Sequence, residues 1–160
     1  MASPTDAARP PEGGAPSSVG GPKLFGVEIP FVHHLGFELV FMEGGRSELR
    51  YEPKREHMNS FLVTHGGAIM TLLDVTMATA ARSVDMEIGV VTIEMKTSFM
   101  QPCKGLLTGK GRLMHRTKSM AFTEGTIFDE AGNACAHATG TFKYVKRPAP
   151  SAPANTISTD

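Results

Sequence analysis

The sequence predicts an α+β domain in which an antiparallel sheet of five or six strands wraps one central helix. Three observations lead there. One segment, GGAIMTLLDVTMATAAR from Gly66 to Arg82, carries apolar residues in nearly every direction of a helical wheel, as in a helix buried on most sides. Around it lie segments with the two-residue period of strands. Those segments follow one another through short turns, and closely spaced strands pair antiparallel because parallel neighbours need long crossovers.

Along the chain, residues 1–22 hold five prolines and four glycines and no aromatic residue. Such a stretch buries too little apolar surface to offset the entropy of ordering it, so a disordered tail is expected. Residues 147–160, with three prolines among Ala, Ser and Thr, predict a second tail. Residues 23–146 then form one domain of typical size. Segments 37–42 and 46–52 read as a hairpin, because Glu43-Gly44-Gly45 between them supplies glycines free to take the positive φ of a tight turn. The helix Gly66–Arg82 would be ~25 Å long. Next, Val91, Ile93, Met95, Thr97 and Phe99 alternate with Thr92, Glu94, Lys96 and Ser98, which puts the first set on a buried face and Thr92 on the polar one. Strands at about 104–116, 119–128 and 134–145 follow, separated by Pro102 with Gly105, by residues 116–118 and by residues 129–132. No repeat with a period of 20–50 residues is present.

Composition excludes several functions. Lys and Arg number 16 against 16 Asp and Glu, and a dedicated nucleic-acid binder needs a basic excess. No apolar run reaches the ~18 residues of a membrane span. The N-terminal segment, with Asp6, Arg9 and Glu12, lacks the apolar stretch of a signal peptide, so a cytoplasmic protein is expected. Cys103 and Cys135 are too few for a disulfide framework and too far apart for a CxxC site. His33, His34, His57, His115 and His137 show no metal-site spacing, so neither metal nor redox cofactor is expected.

Asp74 stands out. It is the only charged residue between His65 and Arg82, in the most apolar segment of the chain. A carboxylate there is costly to bury and tends to raise its pKa, and perturbed acids cluster at active sites. Upstream, Thr64-His65-Gly66-Gly67 opens the helix, with Thr64 the expected N-cap. Two glycines leave the first-turn amides uncovered at the positive end of the helix dipole, a natural oxyanion site.

Asn59-x5-His65-Gly66-Gly67-x6-Asp74, followed by Val91-Thr92-Ile93-Glu94-Met95 and Phe99-x-x-Pro102-x-x-Gly105, resembles the hotdog-fold acyl-CoA thioesterases. More narrowly it resembles the PaaI-like group related to the 4-hydroxybenzoyl-CoA thioesterases, over about residues 33–145. The resemblance implies a sheet wrapped around a central helix, and subunits paired to build active sites at their interface. It implies that the amide of Gly66 or Gly67 polarises the thioester carbonyl, and that Asp74 attacks it or activates a water. Asn59 would position water or substrate, Thr92 matches a hydroxyl position near the carboxylate, and His65 would fix the loop before the helix.

Spacing gives an independent reason for a shared site. Gly67 and Asp74 lie on one helical face but ~10.5 Å apart along the axis, too far for one carbonyl carbon to touch both. Asp74 of one subunit is therefore expected to serve the glycine amides of another, in a dimer or a dimer of dimers. From Met95 to Thr123 the chain carries six basic residues and no acidic one. Alternation puts Lys110, Arg112 and Arg116 on one face, and Arg112, Arg116 and Lys118 become candidates for the phosphates of coenzyme A. Met70, Met77 and Phe61 are candidates for an acyl or aryl pocket. The reading is hydrolysis of an acyl- or aryl-CoA ester to free acid and CoA. A hotdog hydratase or dehydratase, or a non-catalytic acyl-CoA-binding module, stands as the alternative.

Overall fold

The computed structural model describes residues 25–147. The two expected tails fall outside that range, apart from Arg147. A short helix, α1 (Pro30–Leu35), comes first, with proline in its first turn and Gly36 closing it in the left-handed region at φ 78°. Six residues are too few to show a helical period, which is why the sequence reading assigned no element there. The hairpin follows as β1 (Glu38–Glu43) and β2 (Arg46–Tyr51). Gly44 and Gly45 both take positive φ, 56° and 81°, as a tight two-residue turn requires. Then come α2 (Gly66–Arg82), β3 (Ile88–Phe99), β4 (Leu107–Arg116), β5 (Met120–Phe128) and β6 (Ala134–Lys146).

All strand pairs are antiparallel, and the six-stranded sheet runs in the order β1-β2-β4-β5-β6-β3. The single long helix α2 touches every strand, which is the hotdog arrangement. Its Leu72, Leu73 and Met77 are fully buried against a core that includes Leu49, Tyr51, Leu107, Ile127 and Phe142. Close approach depends on β4 lacking side chains where α2 crosses it. A Cβ at Gly111 would stand 2.6 Å from Ser47 Oγ and 2.7 Å from the Thr76 carbonyl oxygen. In that space the Ser47 hydroxyl donates a 2.7 Å bond to the same carbonyl, tying mid-helix to β2.

Three features depart from the sequence reading. First, α2 is not enclosed all round: Asp74, Val75 and Ala78 are half-buried and Met70 is 40% exposed. Second, β3 bulges between Thr92 and Glu94, so that Ile93 has no partner on β6. The extra residue inverts the alternation on its N-terminal side: Val90 packs against the core and Val91 faces out, 46% exposed. Thr92, expected on the polar face, turns toward α2. Third, β4 bulges between Leu113 and His115. Arg112 pairs with Glu124 whereas Arg116 pairs with buried Ala121, so the two arginines lie on opposite faces rather than on one stripe.

Candidate active site

Asp74 sits mid-helix where α2 faces the inner end of the β3 bulge. Thr92 Oγ1 donates to Asp74 Oδ1 at 2.7 Å, the one side-chain hydrogen bond the carboxylate accepts among the described residues. Burial pushes its pKa above the ordinary 3.8, and the Thr92 bond partly opposes the rise by stabilising the anion. The carboxylate opens on a cavity of about 450 Å³ shared with Val75, Ala78, Val90 and Thr92.

The N-terminus of α2 is built differently from expectation. His65, not Thr64, is the N-cap: its backbone is extended (φ −60°, ψ 137°) and its Nδ1 accepts the Gly67 N–H at 2.9 Å. Thr64 is instead buried, its N–H donating to the Cys103 carbonyl. Imidazole as cap leaves the Gly67 amide engaged. The Gly66 N–H has no acceptor among the described residues and is left free to donate. Gly66 borders a second cavity of about 350 Å³ with Asn59, Phe99 and Cys103. A Cβ at Gly66 would meet Phe99 Cζ at 3.4 Å, so the ring of Phe99 packs close beside Gly66.

Asn59 is the organiser of the loop before α2. Its Oδ1 accepts from Phe61 N–H at 2.9 Å and Val63 N–H at 3.3 Å, holding a turn in which Leu62 takes φ 55°. Phe61 projects outward, 84% exposed, and Met77 is wholly inside the core, so neither lines either cavity. Cys103 is inert as a nucleophile at neutral pH, because burial and then the neighbouring Cys135 push its thiol up to about 12. Both cysteines are free and buried.

The structure thus brings Thr92 to Asp74, and Asn59 and His65 to Gly66, and holds the two groups on separate cavities of one chain. The basic residues divide further. Arg112 is neutralised by Glu124 through bonds of 2.8 and 2.6 Å, and Lys110 lies 3.9 Å from Glu48. Arg116 stands by Tyr144, whose pKa burial raises and Arg116 lowers, and Lys118 is exposed in the β4–β5 turn. Two arginines escaped the sequence reading. Arg82 and Arg147 both line the Asp74 cavity, and only the terminal place of Arg82 on an otherwise apolar helix hinted at it.

A sequence profile described as the thioesterase superfamily matches residues 61–136, the stretch from the loop before α2 into β6. A candidate esterase of Saccharolobus solfataricus is 31% identical over 114 residues, covering 71% of this chain and 81% of its own. The chain belongs to the thioesterase superfamily. Among solved structures, a conserved protein of Pseudomonas aeruginosa aligns with TM-score 0.70 at 25% identity, covering 73% of this chain and 94% of that one. The PaaI protein of E. coli, from the phenylacetic acid degradation operon, aligns with TM-score 0.68 at 20% identity over 72% and 83% of the two chains, a likeness of fold. The superfamily assignment carries thioester hydrolysis as the general chemistry. Among the described residues no three His, Cys, Asp or Glu side chains gather as a metal site, and no helix is long and apolar enough to cross a membrane.

Proposed function

We propose that this thioesterase hydrolyses acyl- or aryl-CoA esters to the free acid and CoA, at sites each built from two subunits. Asp74 of one subunit attacks the thioester carbonyl or activates a water toward it. The Gly66 amide of the other subunit receives the developing oxyanion, helped by the positive end of the α2 dipole. The observation that carries the reading is the placement of Asp74: a lone helix carboxylate, its pKa raised by burial, hydrogen-bonded to one hydroxyl and open to an apolar cavity.

Division between subunits follows from distance. Gly66 and Asp74 are eight residues apart on one helix, ~12 Å along its axis, and border different cavities. The surface for pairing is β3, an outer strand of 12 residues with Val91, Ile93 and Phe99 each about half exposed. A long apolar edge strand left open to water is an aggregation hazard unless a partner covers it. Asn59, as holder of the loop beside Gly66, keeps the oxyanion amide in place, and its side-chain N–H₂ faces the water or substrate. Arg116 and Lys118, which form no ion pair among the described residues, are the groups left to meet the phosphates of CoA.

Thiol release from a panel of acyl- and aryl-CoA esters tests this directly. Wild-type protein is expected to release CoA and Asp74→Ala to lose that activity by orders of magnitude while still binding the ester. Unchanged turnover by Asp74→Ala would remove the carboxylate from the mechanism.

A further inference from the structure

The cavity at Asp74 has a chemical asymmetry that hydrolysis alone does not use. Its walls are aliphatic, from Ile29, Val32, Val75, Ala78 and Val90. At the far end from Asp74, ~12 Å along α2, stands Arg82, only 7% exposed. One guanidinium nitrogen, Nη1, donates to the Phe25 carbonyl at 3.1 Å and fixes the side chain. Its Nε and Nη2 are buried with no acceptor among the described residues, and so is Nη2 of Arg147 beside it. No carboxylate among the described residues pairs with either arginine there. Two guanidiniums held together without an anion are an expensive arrangement, since each buried unpaired donor carries its full desolvation cost. Both are also electrostatically at odds, as Arg147 pushes the pKa of Arg82 down after burial does. Gly26, in the left-handed region at φ 66°, puts no side chain of its own beside Arg82 Nη2, which lies 4.0 Å from where its Cβ would be, with Met86 Cε at 3.6 Å. Arg147 lies across Gly89, its Cγ 3.7 Å from that Cβ position.

We propose that this cavity receives the acyl group and that Arg82 and Arg147 bind an anionic group at its far end, so that the preferred substrates are CoA esters of dicarboxylic acids. The inference rests on the thioesterase reading above and narrows its substrate class. The aliphatic walls take the methylene chain, and the guanidiniums take the terminal carboxylate through charge-assisted bonds. A methyl-ended chain of the same length leaves the arginines unpaired, which is the stronger source of discrimination.

The test compares suberoyl-CoA with octanoyl-CoA, which have the same acyl length, in wild-type protein and in the Arg147→Met and Arg82→Met variants. Arg147→Met guards against a folding defect in the more deeply buried Arg82. Wild type is expected to favour suberoyl-CoA in kcat/KM by about ten- to a hundredfold, and each variant to lose most of that ratio. Wild-type preference for octanoyl-CoA, or a ratio unchanged in both variants, overturns the proposal. An equal rise in KM for both esters in the variants also overturns it, by assigning the arginines to the CoA phosphates. Calorimetry with the non-hydrolysable thioethers S-(7-carboxyheptyl)-CoA and S-octyl-CoA reads the pocket without turnover. Tighter binding of the carboxylate form, lost in Arg147→Met, supports the anionic pocket even if hydrolysis fails. Equal binding of the two thioethers rejects the pocket, whatever the turnover assay shows.

Discussion

Thr92 of the edge strand donates its hydroxyl to Asp74 of the central helix across 2.7 Å, and the β3 bulge at Ile93 is what turns it there. The bond ties the ionisation of the carboxylate to the position of the strand. Thr92→Val removes a donor to the anion, so the Asp74 pKa rises further above 3.8. The acid limb of the kcat/KM profile should then move to higher pH, with a smaller effect at alkaline pH. A profile whose acid limb stays in place would show that Asp74 is not the titrating group.

On the proposed mechanism, Asp74 sets a trade of stability against function. Its folded-state pKa is raised, so the folded protein holds the proton more tightly than the unfolded chain does. Stability from this group is fully present below the unfolded value of 3.8 and declines as pH rises toward the raised folded value. At neutral pH the penalty of the buried charge is in force. Asp74→Asn should therefore raise Tm at pH 7 while lowering kcat by about 10²–10⁴-fold, and the gain in Tm should disappear near pH 3.8. Thermal melts at the two pH values check the sign.

Gly66 offers a substitution that removes one hydrogen-bond donor, at the cost of a proline ring set against Phe99. It is the first residue of α2, where proline is tolerated, and His65 before it already has the extended backbone proline demands. Gly66→Pro should still fold and lose about 10²–10³-fold in kcat, the usual effect of deleting an oxyanion donor, whereas Gly66→Ala, which adds the Cβ but keeps the N–H, should lose far less. Retained activity in a folded Gly66→Pro protein would assign the oxyanion elsewhere.

His65 is expected to matter for stability more than for proton transfer. Its Nδ1 is committed to the Gly67 amide, so His65→Asn preserves a cap and His65→Ala loses ~1 kcal/mol. Chemical denaturation of the two variants separates them.

The helix was legible from end to end because an apolar run bounded by Gly-Gly and a terminal arginine has few other foldings, and the hairpin because Gly44-Gly45 dictates its turn. Asp74 was legible for the opposite reason, as the residue that breaks the apolar pattern. What the pattern hid were the two bulges. Period-two alternation runs through Ile93 without interruption in the sequence, and the adjacent apolar pair Leu113-Met114 is the one mark of the second bulge, yet one unpaired residue in each strand reverses every face assignment on one side of it. That single effect put Thr92 on the wrong face and Arg116 beside Arg112. The capping imidazole was hidden as well, since threonine is the commoner cap and nothing local marks His65 as preferred. Arg82 and Arg147 meet only in three dimensions, one from the middle of the domain and the other from its C-terminal end.

The proposed composite site can be tested by mixing two variants, each expected to be inactive alone. Asp74→Asn keeps a working Gly66 amide, and Gly66→Pro keeps a working Asp74. Co-expression of the two, with distinct tags to isolate the hybrid, places one intact Gly66–Asp74 pair in each mixed dimer if the pair spans two subunits. A random mixture should then recover about a quarter of wild-type activity, since half of its dimers are hybrids with one working site of two. A mixture no more active than its parents, in a preparation shown to contain hybrids, would mean that Gly66 and Asp74 of one chain act together after all.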